Sequence, residues 1–216
     1  MLIDLHTHTH PLSDDSLLSP DELIEAAKAA GLDGVCLTEH DFAWDPEKLR
    51  ELARRHRFLV LPGIEVNTED GHLLAFGLDR YVYGLHRVAE LARLVEDAGG
   101  ALVAAHPYRR QLPFERNDGP STSSGQAWRD ALERAVANPA YRHVAAVEAH
   151  NGRADERENR FSHELCRRLG LPALAASDAH HPRDVGRCAT EFERQIAGLE
   201  DLIAELRAGR FRPAIL

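Results

Sequence analysis

The sequence predicts an α/β fold, a short barrel of strands with helices outside it, on three observations. Short apolar segments rich in branched residues alternate with longer segments of helical period almost from end to end. About seven such units fit within 216 residues, and that many close into a barrel more readily than they spread into an open sheet. Strand after strand also runs out into a histidine or an acid, and the ends of its strands are where an α/β barrel gathers its site. A doubly wound open sheet is the alternative that pattern alone leaves standing. One hydrophobic core suffices at this length, so residues 1–216 are expected to form a single domain.

The first predicted strand covers residues 2–5 and leads directly into His6-Thr7-His8. A helix over residues 20–30 follows, with Ser19 as N-cap, Pro20 at the first helical position and Gly31 just past the end. Residues 34–38 form the second strand and residues 46–56 the second helix, again opened by a proline. The apolar run at residues 58–66 predicts one longer strand. Amphipathic periodicity then predicts helices at residues 85–98, 127–138 and 155–169, alternating with strands at residues 101–105, 144–148 and 173–176. A last helix, residues 199–208, precedes a strand at residues 213–216. The one loop-rich interruption, residues 109–126, follows the fourth strand, where a lid or specificity loop could sit.

Composition narrows the function. With 44% apolar and 28% charged residues the chain is ordinary for a globular protein, which excludes disordered and low-complexity architectures. No apolar run approaches the roughly 20 residues that span a bilayer, and the N-terminus is an acidic, histidine-rich strand, so no membrane association and a cytoplasmic location are expected. Cys36, Cys166 and Cys188 are too few and too scattered for a disulfide framework or a paired-cysteine zinc site. A formal charge of -9 argues against a stable nucleic-acid complex but leaves a nucleotide substrate open, since bound cations would cancel negative charge locally.

The chemistry lies in where the thirteen histidines fall. Alternation puts His6 and His8 on one face of the first strand, with Asp4 at the same parity as a candidate partner for one ring. Further strand ends lead to Glu39-His40-Asp41, Glu65, His106-Pro107, His150-Asn151 and Asp178-Ala179-His180, the last pair repeating the i, i+2 spacing. Two histidines near a terminus could be surface residues, but so many potential ligands at one barrel face are not separate accidents. Histidine and carboxylate donors without thiolate suit zinc, manganese or iron at an open, reactive site. So many donors imply two or three divalent ions, with a carboxylate such as Glu65 bridging a pair. His10 and His181 stand at the pocket edge or in solvent, and His72 either orients a ligand or only occupies a strand. His56, His86, His143 and His163 read as surface or packing residues, and Glu39 and Asp41 as neighbours of a ligand.

Together, His6-Thr7-His8, Thr38-Glu39-His40-Asp41, His106-Pro107 and Ser177-Asp178-Ala179-His180 resemble the polymerase and histidinol phosphatase (PHP) family, and the likeness covers almost the whole chain. The resemblance implies a distorted (β/α)7 barrel with a trinuclear site. By it, one ion would be held by His6, His8, Glu65 and Asp178, and a second by Glu65, His106 and His150. The third would take Asp14, His40 and His180; Asp14 stands six residues after His8 with Asp15 beside it. The implied activity is hydrolysis of a small phosphorylated metabolite or nucleotide by a water that the metals make nucleophilic at neutral pH. Arg109, Arg153 and Arg183, each just beyond a ligand-bearing strand end, are candidates to bind phosphate. The competing readings are a non-catalytic metal-binding module of a replication assembly and an amidohydrolase-like enzyme that cleaves a C–N bond.

Overall fold

A computed structural model describes residues 1–110, 112 and 122–216, the side chains of residues 122–124 excepted. Most of the loop predicted at residues 109–126 therefore lies outside the described residues. Among the described residues no helix is long and apolar enough to cross a membrane.

The element order is β1 (Leu2–Thr7), α1 (Pro20–Ala29), β2 (Gly34–Leu37), α2 (Pro46–His56), β3 (Leu59–Pro62), β4 (Ile64–Thr68), β5 (Gly71–Phe76), α3 (Val88–Asp97), β6 (Ala101–Ala104), α4 (Thr122–Val136), β7 (Ala146–Asn151), α5 (Glu156–Leu169), β8 (Ala173–Ala176), β9 (Cys188–Phe192), α6 (Leu199–Ala208) and β10 (Phe211–Ile215). Helix boundaries follow local chemistry. Ser19 and Glu22 form a reciprocal capping box at the start of α1, and Asp155 and Glu158 do the same for α5. Together these caps satisfy backbone N–H groups that a helix start leaves unpaired.

The α/β architecture is the predicted one, distorted in a particular way. Among the described residues the strands form two five-stranded sheets, ordered β10-β9-β1-β2-β3 and β4-β5-β6-β7-β8. The β1-β2-β3 and β6-β7-β8 runs are parallel, as the alternation with helices requires. Two isolated parallel bridges join the sheets: Thr7 pairs with Ala179 just after β8, and His40 just after β2 pairs with Glu65 in β4. An apolar cluster that includes Leu5, Leu61, Phe76, Val103, Leu174 and Leu202 draws on both sheets and on α6. Each of its large fully buried members contributes on the order of 1.5–3 kcal/mol of burial free energy, so the two sheets share one apolar interior.

Three features depart from the expected seven parallel units. The run at residues 58–66 is two strands in different sheets, because the chain turns at Gly63. A Cβ there would lie 2.7 Å from Thr38 Cγ2 and 2.9 Å from a Phe76 ring carbon, so only glycine lets the backbone pass between them. Next, β5 returns antiparallel after a two-residue turn, pairing Glu65 with Leu74 and Asn67 with His72. Finally, β9 lies antiparallel to both β1 and β10. No α-helix separates β4 from β5 or β8 from β9, and alternation of strand with helix was the signal that marked the others.

Candidate functional site

The site forms where the two sheets meet. Thr7, flanked by His6 and His8, bridges Ala179, flanked by Asp178 and His180, and the second bridge is between His40 and Glu65 themselves. Backbone pairing at both junctions therefore delivers six side chains to one place. His6, His8 and Glu65 are fully buried, and Asp178, His180 and His106 nearly so. His106 and Asp178 follow the ends of β6 and β8 with positive φ, 24° and 53°. Non-glycine residues adopt that region at a cost of about 1–3 kcal/mol and hold it where the surroundings demand it, most often at functional sites.

Glu65 is the hub. Its Oε2 lies 3.3 Å from His6 Nε2, 3.2 Å from His8 Nε2 and 2.9 Å from His40 Nδ1. Its Oε1 lies 2.8 Å from His72 Nδ1 and 2.9 Å from His106 Nε2. Asp178 Oδ1 stands 3.7 Å from His6 Nε2 and 3.4 Å from His8 Nε2. Yet His6 Nε2, His8 Nε2, His40 Nδ1 and Glu65 Oε2 are buried and make no hydrogen bond of good geometry. Leaving one such group unsatisfied costs about 1–3 kcal/mol, so four converging on one point are a donor set awaiting an acceptor. Nitrogen and carboxylate oxygen so arranged fit a divalent cation.

Neighbouring groups orient the rings. His6 Nδ1 faces Glu148 Oε2 at 3.3 Å, which leaves Nε2 pointing inward. His8 Nδ1 lies 3.2 Å from Ser13 Oγ, whose hydroxyl donates to Glu39 Oε2 at 2.5 Å. Glu39 is itself buried and also accepts from Thr9 N–H and, at 2.9 Å, from Trp44 Nε1–H. Asp4 does not hold a ring as expected: its Oδ1 accepts from the backbone N–H of His6 and Ser177 and ties β1 to β8, while Glu148 takes the ring-holding role.

Two further expected ligands are not among the groups brought together in the described residues. Asp15, not Asp14, faces the third group of rings, with Oδ2 at 3.0 Å from His180 Nε2 and 3.7 Å from His40 Nε2. The segment after His8 is a turn rather than a strand, so spacing alone could not choose between adjacent aspartates. His150 is not in the site. The β7–β8 register shifts between Glu148 and His150, and this bulge turns Glu148 and Asn151 inward while His150 sits half-buried beside His163 of α5, ring centroids 6.1 Å apart. Glu148, the last residue of the predicted strand, has the same parity as His150, so parity alone does not choose between them.

Among the arginines, Arg109 Nη1 contacts Asp178 Oδ2 and Asn151 Oδ1. Arg153 Nη1 lies 2.6 Å from His180 Nδ1 and 3.8 Å from Asp178 Oδ1. Arg183 is exposed on the short turn Pro182–Asp184 and is not brought to the site. A cleft of about 580 Å³ opens beside His72 and His106 and is lined further by Tyr108, Arg109, Asn138 and Tyr141.

Burial opposes charge throughout, and the coupled groups overcome it. It disfavours the imidazolium of His6 and of His8, yet the surrounding Glu65, Asp178 and Glu148 carboxylates hold His6 well above its ordinary 6.5, and Asp178 and Glu65 raise His8. Conversely, Glu65 and Asp178 sit well below the usual carboxylate range despite burial, with His6 the leading opposing charge. Burial and His8 lower His180 to about 4, and burial raises Asp4 to about 6. For stability the signs are these: the depressed carboxylates of Glu65 and Asp178 contribute above their ordinary values and are lost as pH falls, whereas the raised His6 and His8 contribute below 6.5 and are lost as pH rises. His180 and Asp4 act in opposite directions between pH 4 and about 6 and largely offset. In chelator, the thermal midpoint is therefore expected to be highest between about pH 4.5 and 6.5 and to fall on the alkaline side; a midpoint that rises from pH 6.5 to 9 contradicts this account.

A family described as PHP domain matches residues 4–121, and one described as PHP-associated matches residues 156–211. A protein named "Probable phosphatase" from Caldicellulosiruptor bescii is 26% identical over 215 residues, covering 87% of this chain and 84% of that one. Among solved structures, PsfC from Pseudomonas syringae aligns with a TM-score of 0.65 at 20% identity, covering 100% of this chain and 91% of that one. An amidohydrolase from Chromobacterium violaceum aligns with a TM-score of 0.60 at 19% identity, covering 97% and 96%.

Proposed function

The chain belongs to the PHP domain family, and from that premise we propose that it is a metal-dependent phosphoesterase that hydrolyses a small phosphorylated metabolite or nucleotide at a centre of three divalent ions. The carrying observation is the convergence of four buried donor atoms without hydrogen-bond partners: His6 Nε2, His8 Nε2, His40 Nδ1 and Glu65 Oε2. In this reading His6, His8, Glu65 and Asp178 hold one ion, Glu65 and His106 contribute to a second, and His40 and His180 hold a third with Asp15. Zinc, manganese and iron match the donor set. Ions held there supply Lewis acidity and lower the pKa of coordinated water toward neutrality.

The chain's own residues do the rest. Glu148 and the Ser13–Glu39 pair fix which nitrogen of His6 and of His8 points inward. Arg109 and Arg153 stand against Asp178 at the edge of the donor cluster and orient the phosphate through charge-assisted hydrogen bonds. The cleft beside His72 and His106 receives the organic part of the ester. Residues 1–216 act as one catalytic unit, because His6 and Glu65 lie in the first matched region and Asp178 and His180 in the second. The name "Probable phosphatase" of the Caldicellulosiruptor relative agrees with the bond chosen.

The test is phosphate release from a panel of phosphomonoesters and short nucleotide diesters by metal-loaded protein, with His6→Ala and Asp178→Ala as controls. Release that is lost in both variants and on chelation is the expected result. Activity that persists after chelation sinks the metal-dependent reading, hydrolysis of amides alone moves the chain to C–N chemistry, and silence across the panel favours a non-catalytic module.

A further inference from the structure

The β7 bulge that takes His150 out of the site turns Asn151 into it, and Asn151 is almost fully buried. Its side-chain amide is saturated with partners. Oδ1 accepts the backbone N–H of Arg153 at 2.9 Å, that of Ala154 at 3.1 Å and Arg109 Nη1 at 3.3 Å. Nδ2 donates to Glu148 Oε1 at 3.1 Å and to Asp178 Oδ2 at 3.4 Å. Three obligate donors on one side and two carboxylates on the other fix which way the amide points. Asn159 of α5 clasps the backbone behind it: Asn159 Oδ1 accepts the Asn151 N–H at 2.9 Å, and Nδ2 donates to the Asn151 carbonyl at 3.2 Å. Gly152 then lets the turn press against the end of β8, where a Cβ would stand 2.9 Å from the Ser177 carbonyl oxygen. A neutral amide oxygen can hold a guanidinium without adding negative charge that would repel a phosphate.

We propose that Asn151 is a positioning residue for phosphate: through Oδ1 it aims the Arg109 guanidinium, and through the same oxygen it folds the turn that carries Arg153. This rests on the reading of the site as a phosphate-binding metal centre, and the experiment separates the two. Serine at position 151 keeps a hydroxyl that accepts the N–H groups of the turn, but it is too short to reach Arg109. Aspartate has the shape of asparagine and keeps the acceptor toward Arg109. Binding of inorganic phosphate to manganese-loaded protein is measured by calorimetry in wild type, Asn151→Ser and Asn151→Asp, each with and without Arg109→Ala. Elemental analysis gives the metal content, and circular-dichroism melts verify folding.

Asn151→Ser should bind phosphate about 10- to 100-fold more weakly than wild type at unchanged metal content. Made in Arg109→Ala, the same substitution should change affinity less than about 2-fold, because the two residues act through one contact. In Asn151→Asp, removal of Arg109 should still weaken phosphate binding, as it does in the wild-type background. Phosphate affinity near wild type in Asn151→Ser makes the residue a turn former only and overturns the proposal. Equal losses with and without Arg109, or a parallel loss of manganese, trace the effect to Glu148 and Asp178 and overturn it as well. Should Asn151→Ser not fold, the aspartate pair decides, and an Arg109→Ala change without effect there also overturns the proposal. Wild type that binds no manganese or no phosphate overturns the reading of the site together with it.

Discussion

Glu65→Gln should strip the protein of bound metal and lower kcat/KM for the proposed phosphate-ester substrate by about 10²- to 10⁴-fold. One carboxylate, fully buried, stands at hydrogen-bond or ion-pair distance from five imidazoles: His6, His8 and His40 at one oxygen, His72 and His106 at the other. Glutamine preserves the shape but removes the charge and turns one oxygen into an N–H donor, which repels a cation and meets ring nitrogens that are also prepared to donate. Removing one partner from a buried charged set costs about 3–5 kcal/mol, and each 1.36 kcal/mol is a factor of ten. Metal content by elemental analysis and steady-state kinetics read the effect, with Glu51→Gln on the exposed face of α2 as the neutral comparison. Metal content and rate both near wild type would show that Glu65 is a buried hydrogen-bond acceptor and nothing more.

The contrast between Glu65 and His150 shows what a sequence can carry. His6 and His8, and likewise Asp178 and His180, were legible because a period of two decides which side chains share a face, and because barrel strands all end at one rim. The same rule failed at β7, where one inserted residue reverses parity and no apolar pattern marks the event. It also failed at Gly63, where an unbroken branched run hid a change of sheet that only the packing of Thr38 and Phe76 explains. Asp15 was indistinguishable from Asp14 because a turn has no period to choose between them. His72 was visible as a residue, but its approach to Glu65 depends on a hairpin register that an alternation of strands with helices does not encode. Local periodicity thus gave the converging side chains that sit on regular strands, and tertiary geometry decided those next to a bulge, a turn or an antiparallel return.

Adding zinc or manganese to the chelated protein should raise its thermal midpoint by about 8–16 °C per tightly held ion. A ligand that binds only the folded state at a thousand times its Kd contributes about 4.1 kcal/mol, and a chain of this size gains roughly 2–4 °C per kcal/mol. The reason for a gain this large lies in the unloaded site. His6, His8, His40 and Glu65 each bury an atom without a hydrogen bond, and unfolding returns all four to water, so the empty fold bears a cost that binding removes. The gain should also grow with pH. Cations displace the protons that hold His6 and His8 in their charged forms, so binding releases protons and becomes more favourable above pH 6.5, where the metal-free protein is losing stability. Magnesium and calcium, which prefer oxygen donors, should shift the midpoint far less at equal concentration. Melts at pH 6 and pH 8 with each ion separate these effects: a zinc or manganese shift that is absent, or that shrinks as pH rises, would mean that the converging donors do not form one cation site.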